Sequence, residues 1–413
     1  MANDHPLRLA LNDELHGRPA LAVSSPAAVS HFAFTGADPA AARAQLAKLC
    51  RRFGALAPAD DASFHRFEAD GLSVKWELHG EFYTFTVSTP GAAAQAFNAP
   101  AAARLPAGFL ASLPGERLVA LNIAILKGKA RPDLARLFGH DDLAGSRVTG
   151  GSATVFMDFR IGTDGFSRAL LHDHSLGPAR LSRLVRRIVE IETYRMMALL
   201  SFPVARQLQS PLTRLEKRLT ALVSAERKGE EQALLAELQS AHREIEEISN
   251  ASNFRFAAAR AYSALVKKRI SELREERIEG LQRIETFLER RFAPAMSTCE
   301  AAERRLNALA GRFERAGNLL RTRVDIALEA QNQSLLASME ASSRRQLRLQ
   351  QTVEGLSVVA ISYYGLNILS KVLEGAEALH WLPDPRIAEA IAAPFLVAAV
   401  WLLIRRLRAH LTD

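Results

Sequence analysis

Two apolar stretches near the C-terminus constrain the fold of this chain more than any other feature. The first runs from about residue 353 to 373, and the second runs from about residue 387 to 404. A helix needs ~20 apolar residues to cross the hydrocarbon core of a bilayer. The stretches therefore predict a transmembrane hairpin over residues 352–408 with a short tail at 409–413. A buried hairpin in a soluble protein is the alternative, although no nearby segment is apolar enough to cover both helices.

The charges that flank these stretches predict an orientation. Arginines precede the first stretch and follow the second, and the loop between them offers only Arg386; the flanking residues are Arg344, Arg345, Arg348, Arg405, Arg406 and Arg408. Cytoplasmic loops carry the excess of Lys and Arg, so both ends are expected in the cytoplasm. Residues 1–18 are polar and do not resemble a signal peptide. We therefore expect a bacterial inner-membrane protein with a cytoplasmic N-terminal body.

The composition of the chain limits the classes of partner that it is expected to bind. Two cysteines, Cys50 and Cys299, cannot build a disulfide framework, and neither has metal-finger spacing. The net charge of +8 suits anionic lipid or nucleic acid. We expect lipid, because arginines flank the apolar stretches and no aromatic-and-basic RNA-binding signature is present. Trp381 and Trp401 are placed to lie at membrane interfaces.

The texture of residues 1–204 predicts an α+β domain. Period-two apolar runs indicate strands at 29–35, 63–68, 72–79, 81–88, 118–126 and 153–161, with a hairpin turn at His79-Gly80. Helices are expected at 38–53, which Asp38 can cap, and at 178–202. A domain of this size can hold its own core.

Residues 205–351 predict long helices packed as coiled coils. Strand patterns disappear there, charge density rises, and leucines recur at spacings of three and four. Interruptions are expected near Gly229, at Pro294 and between Gly311 and Gly317. The charged run at 269–277 is interpreted as a solvated helix face, so no nucleic-acid partner is expected.

The sequence contains none of the common catalytic motifs, so an enzyme is not expected. The chain lacks a phosphate-binding loop, a dinucleotide fingerprint, a nucleophile elbow and an H-E-x-x-H helix. No resident cofactor is predicted, although a divalent metal ion could bind. The imidazoles of His172 and His174, on either side of Asp173, could share a metal with a third ligand. A second cluster, formed by Glu77, His79 and Glu81, could do the same. Exposed histidines without metal are the alternative for both clusters, and Asp13, Glu14 and Arg18 suggest a structural latch.

The first apolar stretch carries a polar stripe. Its members recur at spacings of four, three and four, which places them on one side of a helix: Tyr363, Asn367, Ser370 and Glu374. Polar groups within hydrocarbon face a partner helix or water. In a homo-oligomer this stripe could line a pore for a cation. Alternatively, Asn and Ser could join helices that approach closely at Gly355 and Gly365.

Three separated segments resemble an uncharacterised family of bacterial membrane-anchored proteins, domain of unknown function 3422. The segments are NDELHGRP at 12–19, KWELHGEFYTFT at 75–86 and EGLSVVAISYYGLN at 354–367. The resemblance covers nearly the whole chain. It implies an inner-membrane protein and supplies no activity.

The overall plan also resembles that of the CorA-type divalent cation transporters. That family joins a cytoplasmic α/β domain, long helices and two C-terminal spans, and carries a Gly-Met-Asn signature after an aromatic residue. Here Tyr364, Gly365, Leu366 and Asn367 would correspond to it, with Leu366 in place of Met. No Met-Pro-Glu follows, and Glu354 to Gly365 would rise only about 18 Å along a helix, short of the ~30 Å core.

These observations lead to one functional hypothesis and two alternatives. The resemblance favours a homo-oligomeric, CorA-like channel or transporter for divalent cations, with Gly365 and Asn367 at the pore mouth. The alternative is a membrane-anchored scaffold or binding protein, whose partner would be unknown and which would not transport ions. A metal enzyme that uses His172 and His174 is the third possibility.

Overall fold

The computed structural model describes all residues except 1–3, 10–11, 13–18, 92–96, 129–131, 225–230, 379–384 and 412–413. The described chain falls into two compact units. The first comprises residues 1–227 and 233–317, and the second comprises 228–232 and 318–413. The first unit thus extends beyond residue 204, where the sequence texture changes. The proposed latch, at residues 13–18, lies outside the described residues, as does Trp381.

Nine strands among the described residues form one sheet in the first unit. In chain order they are β1 (Ala27–Thr35), β2 (Phe64–Ala69), β3 (Leu72–Leu78), β4 (Phe82–Pro90), β5 (Glu116–Lys127), β6 (Ala144–Val148), β7 (Ala153–Met157), β8 (Ser167–Asp173) and β9 (Glu276–Arg277). Their order across the sheet is β2-β3-β4-β1-β5-β8-β7-β6-β9. Neighbours are antiparallel except for the parallel pair β5 and β8.

Eight α-helices are assigned in the described residues. They are α1 (Pro39–Arg52), α2 (Phe109–Ser112), α3 (Leu134–Phe138), α4 (Pro178–Leu199), α5 (Ser201–Ser224), α6 (Glu231–Leu273), α7 (Ile284–Ala378) and α8 (Pro385–Leu411). Asp38 caps α1 as predicted, because its carboxylate accepts from the amides of Ala40 and Ala41. The mixed α+β architecture that the sequence predicts is therefore present, followed by a long helix and a C-terminal apolar helix.

Two expectations for the helical region are wrong. Helix α7 continues through Pro294 and Gly311, since Phe292, Met296 and Phe313 are buried on both sides of these residues and tertiary packing outweighs their low helix propensity. The charged run at 269–277 is also not one helix. Helix α6 ends at Leu273, and the chain then contributes β9 to the edge of the sheet.

The two faces of the sheet bury different sets of helices. On one face α1 packs against β1, β3 and β4, with Leu46 and Leu49 beside Phe32, Trp76 and Phe85. On the other face, apolar residues of α4, α6 and the start of α7 join those of β1, β5, β7 and β8 in one core. Helix α4 therefore lies where it can close a cavity over the first four strands.

The second unit is dominated by exposed apolar side chains. Every residue from 325 to 353 of α7 is exposed, and so are large apolar residues of α8 such as Phe395. Helices α7 and α8 are each long and apolar enough to cross a membrane. Helix α8 runs without a break through Pro394.

Candidate ligand-binding cavity

A patch of polar side chains interrupts the apolar face of the sheet beneath α4. Residues directly opposite on paired strands share a face of the sheet. His31 of β1 pairs with Thr86 of β4, which pairs with Lys75 of β3. The next row contains Thr84 and Glu77. The alternation of polar and apolar residues in β3 and β4 thus turns a polar surface toward α4.

Helix α4 supplies the opposite wall. Arg186, Glu190 and Thr193 recur at spacings of four and three, which places them on one side of the helix. The Nε atom of Arg186 donates to Glu190 Oε1 at 2.8 Å. Glu190 also accepts from Arg269 of α6. The wall therefore carries an ion pair whose geometry is fixed from two helices.

His31 is a buried, neutral link between the two walls. Its Nδ1 lies 2.8 Å from Thr86 Oγ1, and its Nε2 lies 2.9 Å from Thr193 Oγ1. The Thr193 hydroxyl donates to the carbonyl of Val189, so Nε2 is assigned as the donor and Nδ1 as the acceptor. Burial, with smaller effects from Lys75 and His79, lowers the pKa of His31 to about 3. The imidazole therefore holds sheet and helix together without charge.

A second ion pair faces that of α4. Lys75 Nζ lies 2.8 Å from Glu77 Oε2, and the lysine side chain is only 6% exposed. Burial lowers the pKa of Lys75, while the charge of Glu77 opposes that effect. Arg186 and Glu190 also influence Lys75 electrostatically, and two cations and two anions therefore line the same small space.

The space between these walls is a cavity of about 170 Å³. Thr84 lines it and is 3% exposed, and its hydroxyl has no hydrogen-bond partner among the described residues. A buried hydroxyl without a partner costs roughly 1–3 kcal/mol. The arrangement thus offers a donor and acceptor, beside two ion pairs, to a small polar molecule.

Tyr194 lines the cavity, and contacts with α6 hold Tyr194 and the neighbouring hairpin in place. Tyr194 of the cavity wall stacks on Tyr262 of α6, with ring centroids 5.7 Å apart. Burial, aided by Glu190, raises the pKa of Tyr194 to about 12. Arg255 binds both carboxylate oxygens of Glu81 at 2.7 and 2.8 Å. These contacts fix the hairpin between β3 and β4 against α6.

A larger depression adjoins the cavity at the start of α4. It has a volume of about 970 Å³ and shares Ser182 and Arg186 with the smaller cavity. Ala20 and Ala22, which follow the N-terminal motif, line it together with Arg183. The cavity and the larger depression therefore adjoin each other at Arg186.

The predicted histidine cluster lies elsewhere, at the end of β8. His172 and Asp173 are buried rather than exposed, and the rings of His172 and His174 are 4.5 Å apart. Both ring nitrogens of His174 are engaged, by Thr154 and by the carbonyl of Gly128. Burial lowers the pKa of His172, with a further effect of His174.

Neither predicted metal cluster brings three ligand side chains together within the described residues. The described residues contain no group of three or more His, Cys, Asp or Glu side chains that could hold a metal ion. In the second cluster, Glu77 pairs with Lys75, Glu81 pairs with Arg255, and the ring of His79 stacks on Phe82. Metal binding by these residues stays a prediction without geometric support.

The predicted pore residues divide between two sides of α7. Tyr363, Tyr364 and Asn367 are exposed, and exposed Glu374 pairs with Lys371 at 3.0 Å. A pore stays a prediction for these residues.

Gly365 and Ser370 instead face α8. A Cβ atom at Gly365 would lie 2.9 Å from Leu396 Cδ2. The Ser370 hydroxyl donates to Glu389 at 3.4 Å. This contact agrees with close helix packing at Gly365, whereas Gly355 has open space around it.

With this geometry established, comparison with known proteins identifies the family. The model of the family "Protein of unknown function (DUF3422)" matches residues 3–411. The chain belongs to this family. No curated protein and no solved structure matches the chain. The DUF3422 family thus covers the α+β sheet domain, the long helix and the apolar C-terminal helix together, and the likeness to CorA-type transporters stays a prediction.

Sequence reasoning missed most of the cavity. Of the residues that line the cavity, sequence reasoning singles out Glu77 and His79, as possible metal ligands, and it does not single out His31, Thr84 or Arg186. A usable signal was present, because His31 interrupts the apolar strand at 27–35 and threonines alternate through β4. What could not be read was that α4 would lie over this patch.

Proposed function

We propose that this protein is a membrane-anchored binding protein whose α+β unit takes up a small polar ligand in the cavity beneath α4. The observation that carries the proposal is the buried Thr84 hydroxyl, which lacks a partner among the described residues and lines a cavity bordered by two ion pairs. Ligand-binding sites combine apolar walls with a small number of precisely placed polar groups. Catalysis is not part of the proposal.

The charges of the cavity define the class of ligand. Lys75 and Arg186 are balanced by Glu77 and Glu190, so a ligand with net charge would meet as much repulsion as attraction. A small zwitterion, which carries an ammonium and a carboxylate, can match both signs at once. The volume of about 170 Å³ suits a small molecule, since a cavity of about 150 Å³ can hold benzene.

The test is ligand-induced stabilisation of the full-length protein in mild detergent. The probes are the small zwitterions glycine, β-alanine, alanine and serine, with acetate and methylammonium as singly charged controls. A bound ligand at 100 times its Kd stabilises a protein by about 2.7 kcal/mol, which raises the unfolding temperature. We expect stabilisation by at least one zwitterion and by neither control.

Variants distinguish this cavity from any other site. Thr84→Val keeps the shape of the side chain and removes the hydroxyl, and we expect it to abolish the stabilisation. Thr220→Val is the matched control, because Thr220 is exposed on α5. Stabilisation that survives in Thr84→Val, or that no probe produces in the unaltered protein, would disprove the proposal.

The membrane anchor in this proposal is the pair α7 and α8. Its support is that both helices are long and apolar enough to span a bilayer, and that arginines such as Arg345 and Arg405 flank the apolar stretches. We place both ends in the cytoplasm of a bacterial inner membrane. Labelling of single cysteines placed at the two ends of the chain tests this orientation. A reagent confined to the periplasmic side of the membrane should label neither end, and labelling of either end from that side would contradict the proposal.

Divalent cation conduction is the second candidate function. One observation favours it: Asn367 is an exposed amide on an apolar helix, on the same side as exposed Tyr363. In a homo-oligomer these groups could face a wet pore. The test is selective Mg²⁺ flux into liposomes that is lost in Asn367→Ala and kept in Ile368→Ala, which alters an exposed neighbour. Equal flux in both variants, or none from the unaltered protein, would contradict it.

A further inference from the structure

One helical segment outside the candidate cavity exposes a repeating apolar stripe. From residue 325 to 353, which spans roughly 43 Å at 1.5 Å per residue, every residue of α7 is exposed. Within it Leu328, Leu335 and Leu349 recur at multiples of seven, and Met339 lies on the same side. We name residues 328–349 the stalk. Scattered exposed leucines are ordinary, but a repeat of seven is the pattern of a helix that packs on another helix.

The heptad repeat has a defined phase. One core position of the heptad holds Leu328, Leu335, Ser342 and Leu349. The second core position lies four residues after the first and holds Asn332, Met339 and Gln346. No charged residue occupies either core position between 328 and 349. The charges of the stalk lie at the remaining positions: Glu329, Glu340, Arg344, Arg345 and Arg348. A partner could therefore cover the stripe without burying a charge.

The stripe fits another copy of itself. The positions that flank the seam carry only two charges, Glu329 and Arg345. In a parallel pair of heptad helices, Glu329 would lie opposite Val324 and Arg345 opposite Gln350, so no like charges meet. The seam also contains three uncharged polar residues, Asn332, Ser342 and Gln346, and an Asn at a core position is the type of residue that fixes the register of such a pair.

The continuity of α7 fixes the direction of that pairing. Val353 and Leu356 continue the same repeat into the first apolar stretch, which is part of the same unbroken helix. If that stretch spans a bilayer, copies in one membrane carry the stalk in the same direction and at the same height. The stalks of two such copies can then contact each other in parallel and in register without any shift along the helix axis.

We propose that the stalk associates with the stalk of another copy of this chain, parallel and in register, through Leu328, Leu335, Met339 and Leu349. This self-association is independent of the ligand proposed for the α+β unit. It assigns a partner to a surface that the single chain leaves uncovered.

Disulfide cross-linking of the full-length protein in its membrane tests the proposal. Cysteine is placed singly at Leu335 or Met339, inside the seam, and at Ala330 or Ala337, on the opposite side of the helix. The native Cys50 and Cys299 are buried, so the unaltered protein is the background control. A disulfide needs Cα atoms about 4.4–6.8 Å apart. Two positions one helical turn apart, such as Leu335 and Met339, each lie that close to their own copies only in a parallel, in-register seam.

We expect Leu335→Cys and Met339→Cys to form dimers at least tenfold more efficiently than Ala330→Cys and Ala337→Cys. Equal cross-linking at all four positions, or none at any, would overturn the proposal. A second measurement guards against a local effect of cysteine. Leu335→Asn should lower the mass of the detergent-solubilised complex, whereas Ala337→Asn should leave it unchanged; an unchanged mass in both would also overturn it.

Discussion

The α+β unit and the C-terminal unit differ in how far their side chains are covered by other parts of the chain. In the α+β unit many buried polar groups have partners within the chain, as Ser30 does in Asn122 at 2.6 Å and His31 does in two threonines, and the Thr84 hydroxyl in the cavity is an exception. In the C-terminal unit, large apolar side chains such as Leu349 and Phe395 are exposed. The first unit therefore contains the contacts that specify its fold, whereas the second depends on its surroundings, which we propose to be lipid and a second stalk.

The largest expected contrast comes from the same substitution made in each unit. Leu46 is fully buried between α1 and the sheet, and Leu347 is 51% exposed outside the stalk seam. Leu46→Ala should lower the free energy of unfolding by about 2–5 kcal/mol, because it leaves a cavity. Leu347→Ala should change it by less than about 0.5 kcal/mol. Urea unfolding of the full-length protein measures both losses, and a large loss in Leu347→Ala would contradict the expected difference between the two units.

Two arginines give a similar contrast in ion pairing. Arg255 and Glu81 form a bidentate pair with side chains 16% and 17% exposed, whereas Arg344 and Glu340 are 71% and 65% exposed. Arg255→Met leaves a poorly solvated carboxylate and should cost about 3 kcal/mol. Arg344→Met should cost less than about 0.5 kcal/mol. Unfolding in urea at low and high salt measures the two losses, and comparable losses would show that Arg255 is not specially placed.

Acid should destabilise the α+β unit through His31. The folded-state pKa of His31 is about 3, below the ordinary value of 6.5. The stability that the neutral ring contributes is therefore fully present above pH 6.5 and is lost as pH falls toward 3. The loss is ~1.4 kcal/mol per pH unit, or about 2 kcal/mol at pH 5.

His31→Gln, measured at pH 7 and at pH 5, tests this assignment. The variant should unfold with a much weaker dependence on pH in this range. His65 and His172, whose pKa values burial also lowers, act in the same direction and are the appropriate comparison variants. An unchanged pH dependence in His31→Gln would mean that other groups carry the effect.

The sequence predicted local elements better than long-range ones. The hairpin of β3 and β4 follows from period-two alternation around His79-Gly80, and α1 follows from Asp38 and Pro39. By contrast, β9 consists of two charged residues after a long helix, and only its pairing with β6 makes it a strand. Such an element has no periodic signal of its own, because tertiary contact rather than local propensity defines it.

The candidate cavity shows the same limit more strongly. Its sheet wall could be read from the alternation of Lys75 and Glu77 with apolar neighbours. Its helix wall required knowing that Arg186 and Thr193, far away in the chain, lie above that strand. The histidine cluster at 172–174 stood out in the sequence because its members are adjacent, yet the fold engages His174 with Thr154 and the Gly128 carbonyl.

The smallest expected contrast lies within the C-terminal unit itself, where Gly365 is an exception to the general exposure. Alanine is favoured over glycine in a helix by about 1 kcal/mol. Gly355→Ala should therefore stabilise α7, since nothing lies within 4 Å of the added Cβ atom. At Gly365 the added atom would meet Leu396 Cδ2 at 2.9 Å, so the gain should be offset or reversed. Amide hydrogen exchange of α7 and α8 in micelles measures the difference, and equal protection in the two variants would mean that α7 and α8 do not pack at Gly365.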